Sequence, residues 1–236
     1  MTKLNLYPTV KHLTDIEKWL IEEWNETNRG FYSDWSNIRE AFTEKTLSII
    51  TKNDFAIGFV TYKIYDFTAV INITEIKPSE RKKGLAKKMI NETLEFFRSQ
   101  KVLAVKLFCS PENSESFWQK MGFLNFYDVY NQYRINMYKT LVETLDLSQD
   151  ENRETTIKLW DCEPYQAKDF EPNWVWKLSF LSDNMTLTKP IIFPVSQDWQ
   201  IELTGVERKN IPDKIKYSEI DLECDGSFMI IRKINI

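Results

Sequence analysis

The segment EIKPSERKKGLAKKM, residues 75–89, concentrates the residue types from which an anion site is built. The apolar pattern before it predicts a strand ending at Ile76. Leu85, Ala86, Met89, Ile90, Thr93, Leu94 and Phe97 recur at the spacing of a helix of about four turns that begins beside Gly84. The N–H groups of a helix's first turn have no carbonyl partner within the helix and carry its positive dipole end, so they point out of such a loop as an anion cradle. Gly84 lets the backbone approach a phosphate and adopt unusual dihedrals, and Ala86 keeps the helix close to its neighbours. Arg81, Lys82 and Lys83 add charge: from Lys77 to Lys88 there are six bases and a single acid, Glu80. A solvated basic helix start is the plainer reading of such a loop taken alone.

The Walker pattern needs two glycines and a Lys-Ser/Thr pair, the dinucleotide pattern needs G-x-G-x-x-G, and neither is present. The order Ile76-x-Pro78-x-x-Arg81-x-x-Gly84-x-Ala86 instead resembles the acetyl-coenzyme A loop of the GNAT superfamily of N-acyltransferases, commonly V-x-P-x-x-R/Q-x-x-G-x-G/A. At 112–123, ENSESFWQKMGF resembles that family's second signature, a helix ending in aromatic-x-K-x-G-F, with Trp118, Lys120, Gly122 and Phe123 on the matching positions. The resemblance covers residues 5–140 in organisation and 73–125 at motif level, and two linked motifs are far less accidental than one.

The resemblance implies an N-acetyltransferase that moves an acetyl group from acetyl-coenzyme A, its co-substrate, to a primary amine by direct attack. It implies that backbone N–H groups from Arg81 through Lys82, Lys83, Gly84 and Leu85 to Ala86 hold the pyrophosphate, and that the main chain near Ile76 pairs with the pantetheine arm and polarises the thioester carbonyl. Asn113 matches a position where the family often sets a polar residue against the cofactor arm, and Trp118 also falls in the cofactor segment. Many members carry at the position of Trp118 a Tyr that protonates the leaving thiolate. An indole N–H does not titrate usefully, so that role is vacant here. Tyr127 and Tyr130 are substitutes, as is water, and each also reads as an ordinary strand aromatic. Glu75 is the nearest carboxylate for a general base. If Ile71 and Ile73 are core and share its face by alternation, Glu75 lies at that face's edge and is merely solvated.

The elements around these motifs read as mixed α/β. Leu13, Ile16, Trp19, Leu20 and Trp24 predict a helix, with Thr14 and Glu17 as its capping box. TLSII and FAIGFVTYKIY, joined by Lys52-Asn53-Asp54, predict a hairpin, FTAVINITEI a third strand and VLAVKLFC another after the helix. LVETLDLSQDENRET is polar in its middle and reads as a linker. The expected organisation is therefore an acetyltransferase domain at 1–142, a linker at 143–155 and a β-rich domain of unassigned role at 156–236. In the second part Trp174, Trp176, Leu178 and Phe180 share a face by period two, Trp199, Ile201 and Leu203 alternate with polar residues, and five prolines break the strands. A small antiparallel sandwich or barrel is expected. The fold class is α/β: a GNAT-like mixed sheet flanked by helices, followed by a smaller antiparallel β-rich domain.

Composition narrows the chemistry further. One histidine in 236 residues excludes a relay between histidines, and Cys109, Cys162 and Cys224 lie too far apart for a paired zinc site, so no metal is expected. His12 reads as a surface residue and Cys109 as a small apolar filler. The start MTKLNLYPTVKHLTDIEKW has no apolar leader and no apolar run approaches 18 residues, so a reduced, cytoplasmic protein with no membrane partner is expected. Residues 1–145 carry 20 Lys and Arg against 18 Asp and Glu, and residues 146–236 carry 11 against 17, giving +2 and −6. Neither is the basic balance of a nucleic-acid binder. The acceptor that the resemblance implies is a small-molecule amine or a peptide or protein amine, and the acidic second part would suit a basic one, cover the acceptor site or form a homodimer contact. The rival class is a non-catalytic coenzyme A-binding or protein-binding module, with the β-rich part as its recognition surface.

Overall fold

The computed structural model describes residues 2–127, 133–148, 155–196, 198–205, 214–216, 224–225 and 227–234. It divides into two compact units, Met1–Leu124 and Asn125–Ile236. In the first, strands β1 (Thr2–Asn5), β2 (Leu47–Lys52), β3 (Phe55–Ile64), β4 (Thr68–Ile76) and β5 (Ala104–Phe108) lie in that order in one sheet. Neighbours from β1 to β4 are antiparallel and β4 and β5 are parallel, so the sheet is mixed. Helices α1 (Val10–Thr27) and α2 (Trp35–Thr43) precede β2, α3 (Leu85–Ser99) crosses from β4 to β5, and the short α4 (Glu115–Lys120) follows β5.

The β2–β3 hairpin turns on Asn53 and Asp54 at φ 53° and 62°, the left-handed pair that a two-residue turn requires. One face of the sheet packs Ile49, Phe59 and Ile73 against Ile16, Trp19, Leu20 and Ile38 of α1 and α2, each such buried side chain contributing roughly 1.5–3 kcal/mol. The Trp19 indole N–H donates to the Ala56 carbonyl at 3.1 Å, which satisfies its polar atom inside that core. On the other face Tyr62 meets Phe97 of α3 edge-on, with ring centroids 5.0 Å apart.

Helix α1 corrects two expectations. It begins at Val10, not at Thr14, and His12 is buried. His12 Nδ1 accepts the Thr9 N–H at 3.1 Å, and its Nε2 lies 3.2 Å from Asp54 Oδ1. The imidazole therefore ties the start of α1 to the hairpin turn, a contact between residues 42 apart that no local spacing announces. The buried stripe of α1 runs His12, Ile16, Trp19, Leu20, Glu23, so that Glu23 takes the core-facing place and Trp24 is only half-buried.

The second unit carries β6 (Leu124–Phe126), which starts at its boundary, and β7 (Asn136–Thr140) through β14 (Phe228–Lys233). Two antiparallel sheets, β12 (Lys214–Lys216), β11 (Gln200–Thr204), β8 (Thr156–Leu159), β9 (Trp174–Lys177) in one and β10 (Thr186–Pro194), β14, β13 (Cys224–Asp225) in the other, share one apolar core. Trp176 and Leu178 are inside it, while Trp174 stacks on Trp199 with centroids 5.4 Å apart and planes 17° apart. The inside-outside alternation expected after Trp199 is not seen: Gln200, Ile201, Glu202 and Leu203 are all buried, because β11 is an inner strand between β8 and β12. No helix among the described residues is long and apolar enough to cross a membrane.

Candidate functional site

Strands β4 and β5 pair only from Thr68 to Val70 against Ala104 to Lys106. Beyond that register they part, and a cavity of about 670 Å³, a size suited to a small-molecule ligand, opens between Ile71–Ile76 on one side and Leu107–Phe108 on the other. A bulge sets the geometry of its β4 wall. Ile71 is opposite Tyr62 and Ile73 is opposite Thr61, so Asn72 is an extra residue that changes the phase of the strand. The expected shared face of residues 71, 73 and 75 is therefore wrong. Ile73 and Glu75 point with Phe59 toward α1, whereas Ile71 points with Tyr62 toward α3.

The loop after β4 turns through Pro78–Glu80 and reaches α3 through Lys82 and Gly84, both left-handed at φ 62° and 75°. A Cβ built on Gly84 meets nothing within 4 Å, so its glycine requirement is one of dihedral and of free approach from outside, not of internal packing. No side chain caps α3, which leaves its first N–H groups directed at the cavity that Gly84, Leu85, Ala86 and Lys87 line. These residues fit a diphosphate: backbone donors, an open approach, and Lys82, Lys87 and Lys120 on the lining.

The remaining bases of this segment are spent inside the protein. Lys77 sits over the Phe55 ring, and Lys88 donates to the Thr2 carbonyl at 2.6 Å. Lys83 donates to the Ser79 carbonyl and pairs with Glu80, and it is not on the cavity wall. Arg81 borders the cavity, but its polar atoms are engaged within the protein. Its N–H donates to the Pro78 carbonyl, its Nε to the Ile76 carbonyl at 2.9 Å, and its terminal nitrogen reaches Glu23 at 2.6 Å and Glu75 at 3.1 Å. The guanidinium thus fastens the loop to the end of β4 and to α1.

Glu75 is half-buried on the cavity wall, and its Oε1 accepts the Ile76 N–H at 2.8 Å. That bond engages the Ile76 N–H within the strand end, so a main-chain donor to a substrate carbonyl has to come from a neighbouring residue. Burial raises the proton affinity of Glu75 above the ordinary carboxylate value; Arg81 and the Ile76 N–H act against this and Glu23 adds to it. Asn113 lies exposed in a single 3-10 turn and is not part of the lining. Tyr127 is exposed and belongs to the second unit, and Tyr130 lies outside the described residues.

The second sequence signature is a helix terminus. Phe123 N–H bonds the Trp118 carbonyl at 3.0 Å, Gly122 N–H bonds the Gln119 carbonyl at 2.9 Å, and Gly122 has φ 80°. This is a Schellman motif, completed by the edge-on contact of the Trp118 and Phe123 rings at 5.2 Å. Trp118 is buried there and still borders the cavity. Cys109 is buried, and desolvation pushes its thiol above the ordinary range, as suits a filler and not a nucleophile.

Sequence reasoning missed Phe31 and Asp34, from the turn between α1 and α2, and Asn72 and Phe108, all on the lining. Only Asn72, a polar residue between Ile71 and Ile73 in the middle of β4, gave a local signal. Among the described residues that line the cavity there is no Tyr, His or Cys, and no group of His, Cys, Asp and Glu among the described residues could hold a metal.

Residues 13–123 match the model of the acetyltransferase (GNAT) family. No curated protein matches the chain. Similar solved structures include the paia N-acetyltransferase of Thermoplasma acidophilum in complex with coenzyme A, 19% identical over 59% of this chain and 99% of that one, with a TM-score of 0.49. An aminoglycoside 6′-N-acetyltransferase complexed with coenzyme A is 13% identical over 62% and 99%, with a TM-score of 0.49. A GNAT-family acetyltransferase of Bacillus cereus is 16% identical over 61% and 99%, with a TM-score of 0.48.

Proposed function

With a GNAT acetyltransferase-family domain at residues 13–123 as the premise, we propose that this protein transfers an acetyl group from acetyl-coenzyme A to the primary amine of a small molecule, peptide or protein. The observation that carries the reading is the parting of β4 and β5 beside an uncapped helix start: one cavity offers backbone donors at Gly84–Lys87 and carboxylates at Glu75 and Asp34. Acetyl-coenzyme A supplies the activated acyl group as a thioester. Gly84, Leu85 and Ala86 hold the diphosphate by their N–H groups, with Lys82 and Lys87 screening its charge. The strand edge from Ile71 to Thr74, released from β5, lies open to the pantetheine arm.

The acceptor reacts as a neutral amine. Its nitrogen bonds to the acyl carbon, the carbon–sulfur bond breaks, coenzyme A leaves as a thiolate, and the amine proton goes to Glu75. Glu75 suits this role because burial keeps its carboxylate more basic than an exposed one. A thiolate whose conjugate acid has a pKa of roughly 8.5 leaves without a dedicated acid, so solvent protonates it afterwards.

Titration calorimetry with acetyl-coenzyme A, followed by thiol release across a panel of primary amines, tests the reading. Binding with turnover supports it, and Glu75→Gln then lowers kcat/KM roughly 100-fold with little change in cofactor affinity. A chain that binds no acetyl-coenzyme A sinks it. A second reading, a coenzyme A-binding module without turnover, is favoured by Trp118 at the usual Tyr position and by a lining without Tyr, His or Cys among the described residues. Binding without thiol release on any amine selects it.

A further inference from the structure

Glu23 is a charged residue in the core stripe of α1, 7% exposed, and its Oε2 is buried without a hydrogen-bond partner. A buried carboxylate oxygen left without a partner is destabilising, so its retention calls for a compensating role. Oε1 lies 2.6 Å from the Arg81 guanidinium, the shorter of that group's two carboxylate contacts. Gly30 closes over the other oxygen, and a Cβ there would stand 3.0 Å from Oε2. Glu23 is thus packed from α1, from the turn after it and from the loop after β4.

Two carboxylates share one guanidinium. Arg81 donates Nε to the Ile76 carbonyl and divides its terminal nitrogen between Glu23 and Glu75, leaving the cluster with one negative charge in excess. The groups facing Glu75 are Arg81 from the loop, Glu23 from α1 and the Ile76 N–H of its own strand. Oε1 of Glu75 is held by the Ile76 N–H and by Arg81, and Oε2 has no protein partner among the described residues. Resting on the reading of Glu75 as the base, we propose that Glu23 is a positioning residue: by drawing Arg81 across from Glu75, it prevents a full ion pair there and leaves Glu75 free to take the acceptor's proton. Alone with Glu75, Arg81 would hold that carboxylate as its ion-pair partner and make it a poor proton acceptor.

Carboxyl ¹³C titration of the full-length protein labelled at glutamate, with the Glu75 signal assigned by its loss in Glu75→Gln, tests this without any acceptor. In Glu23→Gln the Glu75 midpoint falls by about one pH unit, and in Arg81→Gln it rises. Any transfer activity shows the same displacement in the acid limb of its kcat/KM profile. An unmoved midpoint in Glu23→Gln, or displacement of both variants in one direction, overturns the proposal; a lower melting temperature alone is the mark of a merely structural Glu23. If Glu23→Gln does not fold, Glu23→Asp decides: its shorter carboxylate draws less on Arg81, and a Glu75 midpoint that does not fall overturns the proposal. If the midpoints shift as expected while Glu75→Gln transfers acetyl at the parent rate, the assignment of Glu75 as base fails and the Glu23–Arg81 coupling stands.

Discussion

Gly84 and Gly122 are both left-handed and both fall in short motifs legible from sequence, yet they serve opposite ends. At Gly84 a helix starts without a side-chain cap, the space outside the glycine is open, and the N–H groups face a cavity. At Gly122 a helix ends with its carbonyls satisfied from Gly122 and Phe123, and aromatic rings seal the turn. A helix start left unsatisfied beside a cavity is suited to a ligand, and a helix end whose Trp118 and Gln119 carbonyls are satisfied within the protein serves packing. The contrast also accounts for Trp118. Its position in the Schellman motif demands a large apolar ring, which indole supplies as well as phenol does, whatever happens to proton transfer.

Four experiments bear on this contrast, in descending order of expected effect. Trp118→Ala removes the ring that seals the second motif and is expected to cost about 3–5 kcal/mol of stability, read by denaturant unfolding. Trp118→Phe, which keeps a ring, costs far less, and equal losses from the two variants would break the packing account. Gly84→Asp puts a negative charge and a strained dihedral at the open motif. Acetyl-coenzyme A affinity is expected to fall at least about 100-fold by calorimetry, a few kcal/mol of repulsion at close range, while the left-handed dihedral at φ 75° costs only about 1 kcal/mol of stability.

Gly122→Ala carries the same dihedral strain without the loss of affinity. It is expected to cost about 1 kcal/mol, a drop of roughly 2–4 °C in melting temperature, with cofactor affinity intact; a loss of affinity there would erase the distinction between the motifs. The smallest effect is on pH dependence. Because burial raises the Glu75 pKa in the folded chain, the native state holds that proton more tightly than the unfolded one, whose reference value is 4.5. The folded chain therefore loses stability as pH rises from that value through the folded pKa. Glu75→Gln flattens this slope in urea unfolding series, and an unchanged slope would show that Glu75 is not desolvated.

Much of the first unit was legible in residue order. The hairpin at Asn53-Asp54, the strand ending at Ile76 and the helix from Leu85 are all local patterns of period two or 3.6 with turn residues at their ends. The site was legible only where it is made of backbone. Side-chain placements were less legible: Arg81 borders the cavity with its guanidinium engaged by Glu23 and Glu75, Lys83 pairs with Glu80 away from the wall, and Asn113 is off it. Asp34 and Phe31 enter the lining from a turn about 40 residues earlier in the chain, where no local signal marks them.

Sequence alone determined the turns at Asn53-Asp54 and Gly84, the helix start beside Gly84 and the scarcity of titratable groups for proton transfer, but not the left-handed Lys45, Lys82 and Lys101. What it determined depends on dihedrals and on neighbours a few residues away. Tertiary structure decided the face on which each β4 side chain lies, because the bulge at Asn72 is set by pairing with β3. It also decided the partners of Arg81, since Glu23 is 58 residues away and is brought to the loop only when α1 packs on the sheet. Backbone geometry is encoded locally, whereas the electrostatic environment of a carboxylate is a sum over whatever the fold places beside it.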